Sequence, residues 1–258
     1  MMKERTLRVL EFTKIRDRLA SKAMTDMGRE RCEALVPSSN ITEIQRMQAE
    51  TEETTVILQY VGASPLVPFS DVRASLTLAE KGATLSPKAL LEVAALMQSA
   101  RAARKALDTE RDNTPILKEL AQRLSTLHNV EQDITNAIIS EDEIADRASN
   151  ELMDIRRHLR GANERIKEKL NQMIRSSAFQ KYLQDPIVTM RNDRYCLPVK
   201  AEYRGSVPGL VHDQSSTGAT LFIEPMAAVE MGNELKTWAA KEKQEIERIL
   251  SALSAEIA

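Results

Sequence analysis

Two stretches of this chain carry narrow apolar stripes at spacings of three and four residues, and the segment between them does not. The first stripe runs through Leu152, Ile155, Leu159, Ala162, Ile166, Leu170 and Met173, and the second through Leu235, Trp238, Ile246, Ile249, Leu253 and Ile257. A seam that narrow is the mark of helices that pair along their length as in a coiled coil. At 1.5 Å per residue, about 35 residues reach roughly 50 Å, longer than an ordinary domain is wide. Gly161 interrupts the first stripe chemically but leaves its phase intact. Two such stripes predict an antiparallel pair, a helix over 147–184 ascending and one over 226–258 descending.

Between them the period changes from helical to alternating. Ile187 to Met190 and Tyr195 to Val199 flank Arg191-Asn192-Asp193-Arg194. Val207 to Val211 and Thr220 to Ile223 flank a loop holding Ser215, Ser216, Thr217 and Gly218. These are strand–turn–strand signals, so residues 185–225 are expected to form two hairpins in one small antiparallel sheet. Hairpins of that size are marginal alone and need a wall to pack on, which the helix pair supplies.

Residues 1–146 read as an all-helical body. Leu7, Leu10, Phe12, Ile15 and Leu19, then Met24, Met27 and Cys32, predict two helices over 4–35, closing before Pro37. Ser39 or Asn40 is expected to cap a helix reaching about Tyr60, with Ile41, Ile44, Met47, Val56 and Leu58 buried. A loop follows over 62–68, then a short helix capped by Ser70 and ending at Gly82. Ser86-Pro87 opens another, since proline suits a first helical turn, with Leu90, Leu91, Val93, Leu96 and Met97 inside. Shorter helices are expected around 114–125 and 129–139. With only 8 Gly and 9 Pro in 258 residues, too few for the turns of an all-β sandwich, the fold class is mainly α: a helical core plus a long antiparallel coiled-coil-like helix pair carrying a small antiparallel β element.

Catalytic and metal motifs are not found. There is no Gly-rich phosphate loop, and His128, His158 and His212 have no His or Cys at ligand spacing. Cys32 and Cys196 stand far apart and read as two buried free thiols rather than a disulfide. His212-Asp213-Gln214-Ser215 contains the letters of a catalytic triad. Neighbours in a strand point to opposite faces, however, so Asp213 and Ser215 are better read as bonding the turn backbone. The acidic residues of 141–154 read as helix-start capping rather than a carboxylate metal site. The first five residues carry no apolar core of signal-peptide length, and no apolar run is long enough for a membrane span, so a cytoplasmic protein is expected.

Charge narrows the remaining choice. The formal net charge is −2, and only one long stretch, residues 151–181, is distinctly basic at +4. Aromatic residues make up 3% of the chain, too few for a broad base-stacking platform. Candidate nucleic-acid-binding residues are therefore Arg191, Arg194, Lys200 and Arg204 in or beside the hairpins, and Arg157 and Arg160 on the basic helix, through phosphate contacts. Two competing readings stand beside them. Asp185, Asp193, Glu202, Asp213 and Glu224 offset the hairpin cations, leaving a plain solvated surface as the alternative. The helix face of Arg157, Arg160, Arg165 and Lys169 competes for Glu234, Glu242 and Glu245 on the other helix.

The runs Lys181–Thr189, Arg194–Gly205 and Val211–Pro225 closely resemble the MutS-II family, the bacterial MutS branch without a mismatch-reading N-terminal domain. Arg5–Ile15, Met24–Arg29 and Leu85–Pro87 fit it too, so the resemblance covers essentially the whole chain. It implies a helical core and lever over 1–146 and an ascending helix over 147–184. A β-rich clamp over 185–225 and a descending helix over 226–258 follow, the chain stopping before an ATPase domain. The family further implies homodimers, ATP and Mg bound by that ATPase domain, and a C-terminal Smr nuclease domain. Its members are described as suppressors of homologous recombination that bind branched DNA, and as ribosome-associated factors acting on collided ribosomes. No family ATPase or nuclease residue has a position in this chain, so the stretch is expected to be non-catalytic, without cofactor or metal. Two alternatives stay open: a protein-interaction arm for dimer or ribosome docking, and an independent enzyme.

Overall fold

A computed structural model describes residues 4–62, 64, 66–108 and 114–258. The fold is mainly α with two small antiparallel sheets, and it divides into two compact units, Met1–Ala145 with Ile249–Ala258, and Asp146–Arg248.

The first unit opens with α1 (Glu4–Val9), α2 (Phe12–Ala20) and α3 (Asp26–Glu33), three helices where the periodicity predicts two. The extra break lies at Glu11, whose φ of 52° is left-handed. A side chain in that region costs about 1–2 kcal/mol per residue in a helix, so the α-helix cannot run through it. The apolar spacing continues across the turn and gives no sign of it. In α4 (Ile41–Val61) the Asn40 side chain accepts the amides of Thr42 and Glu43, which assigns the cap to Asn40. The buried face differs from the expected one: Glu53 and Ile57 are buried, while Ile41, Met47 and Leu58 are exposed.

Next come α5 (Arg73–Glu80), α6 (Pro87–Leu107), α7 (Pro115–Gln122) and α8 (His128–Ala137). Helix α5 starts beyond Ser70, with Val72 at its cap position and no side-chain cap. Gly82 then turns the chain with a φ of 79°. Ser86 caps α6 as expected, and Leu90 and Val93 are buried. Buried Glu53 accepts the amides of Ile116 (3.2 Å) and Leu117 (2.9 Å), so a carboxylate from α4 caps α7 where Thr114 does not. Two-toothed pairing of Arg101 with Glu131 joins α6 to α8 at 3.0 and 2.8 Å. The body is not all-helical. A ribbon of β1 (Ile138–Ser140) and β2 (Glu143–Ile144) follows α8, too short to leave an alternating signal. The loop expected over 62–68 includes Ala63 and Pro65, which lie outside the described residues, as do Met1 to Lys3 of the N-terminal reading.

In the second unit, a 3₁₀ turn (Asp146–Ala148) leads to α9 (Asn150–Arg175), capped by Ser149, which accepts the Leu152 amide at 2.9 Å. The helix runs unbroken through Gly161 and stops at Ser176, whose extended ψ of 120° ends it earlier than the expected 184; α10 (Ser177–Gln180) is a separate turn. Leu152, Ile155, Ala162, Ile166, Leu170 and Ile174 form its buried stripe. Four strands follow: β3 (Thr189–Arg191), β4 (Arg194–Lys200), β5 (Gly209–Gln214) and β6 (Thr220–Pro225), in the order β3-β4-β6-β5, all antiparallel. Asn192 and Asp193, with φ of 48° and 57°, make the two-residue turn that matches strand twist. Helix α11 (Met226–Glu256) starts directly after β6.

Side-chain contacts establish that α9 and α11 run antiparallel. Ser149 meets Glu245, Arg156 meets Glu242, His158 stacks on Trp238, and Arg165 meets Glu234. As the residue number rises on one helix it falls on the other. Leu197, Val199 and Ile223 of the sheet form one core with Ile166, Leu170 and Ile174 of α9 and Ala228 of α11. The helix pair is therefore the wall that the small sheet requires. Among the described residues no helix is long and apolar enough to cross a membrane.

Candidate functional site

The cations proposed from sequence divide by what they already hold. Arg194 is mostly buried; it donates to Glu224 Oε1 at 3.1 Å and to Asn233 Oδ1 at 2.7 Å. Arg191 pairs with Asp213 at 3.2 Å, and its guanidinium carbon lies 4.0 Å from the centroid of the Phe222 ring. On α9, Arg157 pairs with Asp154 and Arg160 with Asp146 (3.2 Å), both in exposed positions. Cross-helix pairing is made by Arg165 with Glu234 at 2.9 Å, as the sequence allows, and by Arg156 with Glu242 at 2.7 Å, which it did not single out. Asp146 is the acidic helix-start residue that gathers most charge. Hydrogen bonds from Arg156 and then Arg160 hold its carboxyl below the ordinary range.

Lys200 and Arg204 hold no carboxylate. Among the described residues Lys200 forms no ion pair, and Arg204 donates only to the carbonyls of Val207 (3.5 Å) and Gly209 (3.2 Å). A third cation, Lys181, joins them without a carboxylate, its ammonium 4.9 Å from the centroid of the Tyr182 ring. The backbone brings the three positions to one corner. The Lys200 amide donates to the Tyr182 carbonyl at 3.0 Å, Leu183 bridges to Val199, and the rings of Tyr182 and Tyr203 lie 5.4 Å apart. The 215–219 loop reaches the same corner, because Lys200 sits opposite Thr220 and the Ala201 amide donates to the Ala219 carbonyl at 3.0 Å. Ser215 Oγ accepts the Thr220 amide at 3.1 Å, leaving Ser216 and Thr217 exposed at the tip. Asp185 and Glu202 lie in the same two stretches, so the corner is cationic by a small margin.

Sequence reading missed Lys181 as a candidate, although it stands in the basic stretch next to a tyrosine. It also treated Glu224 as one of several offsetting acids. Glu224 is in fact fully buried, with Oε1 on Arg194 and Oε2 2.8 Å from His212 Nε2. The triad letters come apart accordingly. His212 faces Glu224, Asp213 faces Arg191 and accepts the Gln214 amide (2.8 Å), and Ser215 serves the loop. Of the thiols, Cys196 is buried and Cys32 only half-buried, and neither is in a disulfide. Burial pushes the Cys196 thiol up to about 11, with the Glu224 charge adding to it.

The arrangement offers cations, hydroxyls and ring faces at one end of the helix pair, where α9 stops and α11 starts. Such a set suits a polyanionic backbone held without sequence reading. No protein-family model matches the chain. Among curated proteins, the Endonuclease MutS2 of Acetivibrio thermocellus is 46% identical over 261 residues, covering 99% of this chain and 33% of that protein. That of Alkaliphilus oremlandii is 48% identical over 259 residues (100% of this chain, 33% of that protein), and that of Symbiobacterium thermophilum 47% over 257 (100% and 32%). The chain thus spans about a third of the length of the curated relatives it matches.

Proposed function

Since this chain belongs to the MutS2 (MutS-II) family along its whole length, we propose that it is the nucleic-acid-gripping lever and clamp region of such a protein. The observation that carries this reading is the division of the cations. Around the hairpins, Arg191 and Arg194 are neutralised by Asp213 and Glu224, while among the described residues Lys181, Lys200 and Arg204 hold no carboxylate, Lys200 lying beside a hydroxyl-bearing loop and Arg204 reaching to the start of β5. The grip is sequence-independent and made to phosphates. Arg157 and Arg160, exposed on α9, are weaker phosphate contacts because Asp154 and Asp146 share their charge. Catalysis, with any ATP and Mg, belongs to the portion of the longer MutS2 proteins beyond this stretch. Branched DNA and ribosomal RNA are the polyanions that recombination suppression and action on stalled ribosomes would present.

Salt dependence tests the mechanism. Removing one phosphate-binding cation should flatten the plot of log affinity against log salt by about 0.9 for duplex DNA. Replacing Lys181, Lys200 and Arg204 together by Ala should therefore weaken duplex binding and lower the slope by roughly 3. Affinity that does not change between low and moderate salt removes the electrostatic grip.

A second reading, a protein-interaction arm for dimer or ribosome docking, is supported by a different feature. Val9, Leu10, Ile15 and Ile41 in the first unit are large, apolar and well exposed, and this reading has a partner cover them. Concentration-dependent dimerisation that Ile15→Glu abolishes, with no nucleic-acid binding, would favour it.

A further inference from the structure

The best-built polar site in the second unit is not the cationic corner but the surroundings of Glu224. Its carboxylate has no exposure to solvent and takes Arg194 from β4 on one oxygen and His212 from β5 on the other. Arg194 extends further, to Asn233 of α11, and the β3–β4 turn joins through Asn192, which donates to the His212 carbonyl at 3.0 Å. Gly232 leaves the space: a Cβ there would stand 2.4 Å from Glu224 Oε1 and 2.8 Å from Arg194 Nη1. The β3–β4 turn, three strands and one helix thus meet at a single buried charge.

A charge removed from water survives only where its partners are fixed, and it penalises any motion that parts them. We propose that Glu224 is a lock that holds the sheet in one orientation on α11, and that Arg194 acts through it as a positioning residue for the corner. Arg194 reaches Glu224 and Asn233 from the first residue of the strand whose last residue is Lys200. Breaking the lock frees that strand to tilt, which displaces Lys200 and the 215–219 loop it pairs beside. Arg194 then supports binding without touching a phosphate.

Two measurements test this on the whole chain. In the first, without ligand, Asn233→Ala removes the α11 arm at an exposed position and leaves the Glu224–Arg194 pair intact. Amide exchange should rise by about tenfold together at β4 and at 226–238, the factor expected when one charge-assisted hydrogen bond is removed. A rise confined to the residues next to 233, or none, overturns the lock. In the second, duplex DNA binding of Arg194→Met is followed against salt, in the unaltered chain and with Lys200 already replaced by Ala. A positioning residue that acts through Lys200 lowers affinity in the first background and leaves the salt slope unchanged in the second, whereas a phosphate contact lowers the slope by about 0.9 in both. A slope lowered in the Lys200→Ala background overturns the positioning role. Should Arg194→Met fail to fold, Arg194→Gln takes its place in the same titration. Only the second measurement rests on the nucleic-acid reading. A chain that binds no DNA removes that reading, and the exchange result alone then decides the lock.

Discussion

An alanine at Gly232 would bring two opposing effects into one position. Helix propensity favours Ala over Gly by about 0.8–1 kcal/mol. Against it, the new methyl would lie within 2.8 Å of two atoms of a buried ion pair, neither of which is the free end of a mobile side chain. Overpacking of that kind costs about 1–3 kcal/mol, so it should win. Gly232→Ala is expected to lower stability by up to about 2 kcal/mol net, read as a shift of the denaturation midpoint. Cys196 supplies a chemical counterpart at the same scale. Its thiol is inaccessible and raised to about 11, so little thiolate forms near neutrality and reagents cannot reach it. Mass spectrometry after iodoacetamide treatment at about pH 8 should find Cys32 modified and Cys196 intact until denaturant is added. Early labelling of Cys196 would mean that the sheet opens readily from its core.

The same substitution should have the opposite sign elsewhere in the helix pair. Gly161 sits within α9, where a Cβ would meet only the Arg165 guanidinium at 3.5 Å, an ordinary contact. Propensity is then unopposed, and Gly161→Ala should stabilise the chain by about 0.8–1 kcal/mol in thermal or chemical denaturation. A destabilised Gly161→Ala would show that α9 needs its flexibility there. Helix ends follow a similar division between local and remote causes. Ser149 and Asn40 cap the helices that follow them in sequence, whereas α7 takes its cap from Glu53, 64 residues before the Leu117 amide it accepts.

Among the described carboxyls that shift, the pH response has one sign. Glu131 in the first unit and Asp146 and Glu245 in the second all titrate below the ordinary carboxylate range, the largest cause in each case being a hydrogen bond from Arg101, Arg156 and Arg248 respectively. A carboxyl whose native pKa is depressed stabilises fully above its unfolded pKa, and that contribution is lost as pH falls through the native one. Stability should therefore hold from neutrality down to the ordinary carboxylate range and decline below it, in both units. Urea midpoints measured at successive pH values check this. A midpoint that rises on acidification would contradict the assigned ion pairs. Several of these partners are well exposed, Arg248 at 60%, so solvent screening keeps each contribution modest.

By itself, the amino-acid order determined the elements whose cause is local or periodic. The two apolar stripes specified α9 and α11, the alternation and the Asn192-Asp193 turn specified the hairpins, and Asn40, Ser86 and Ser149 specified helix starts. The resemblance of the three runs to MutS-II named the family. Tertiary structure decided what depends on partners distant in sequence. It chose Glu53 over Met47 for the buried face of α4, because a carboxylate that caps another helix tolerates burial. It buried Glu224 and turned Arg194 inward, since a strand neighbour 30 residues away and a glycine on α11 made room for the pair. Among the described residues it thereby left Lys181, Lys200 and Arg204 without a carboxylate, because charge is free only where no carboxylate folds against it, and pairing across a fold is written in no single stretch of residues.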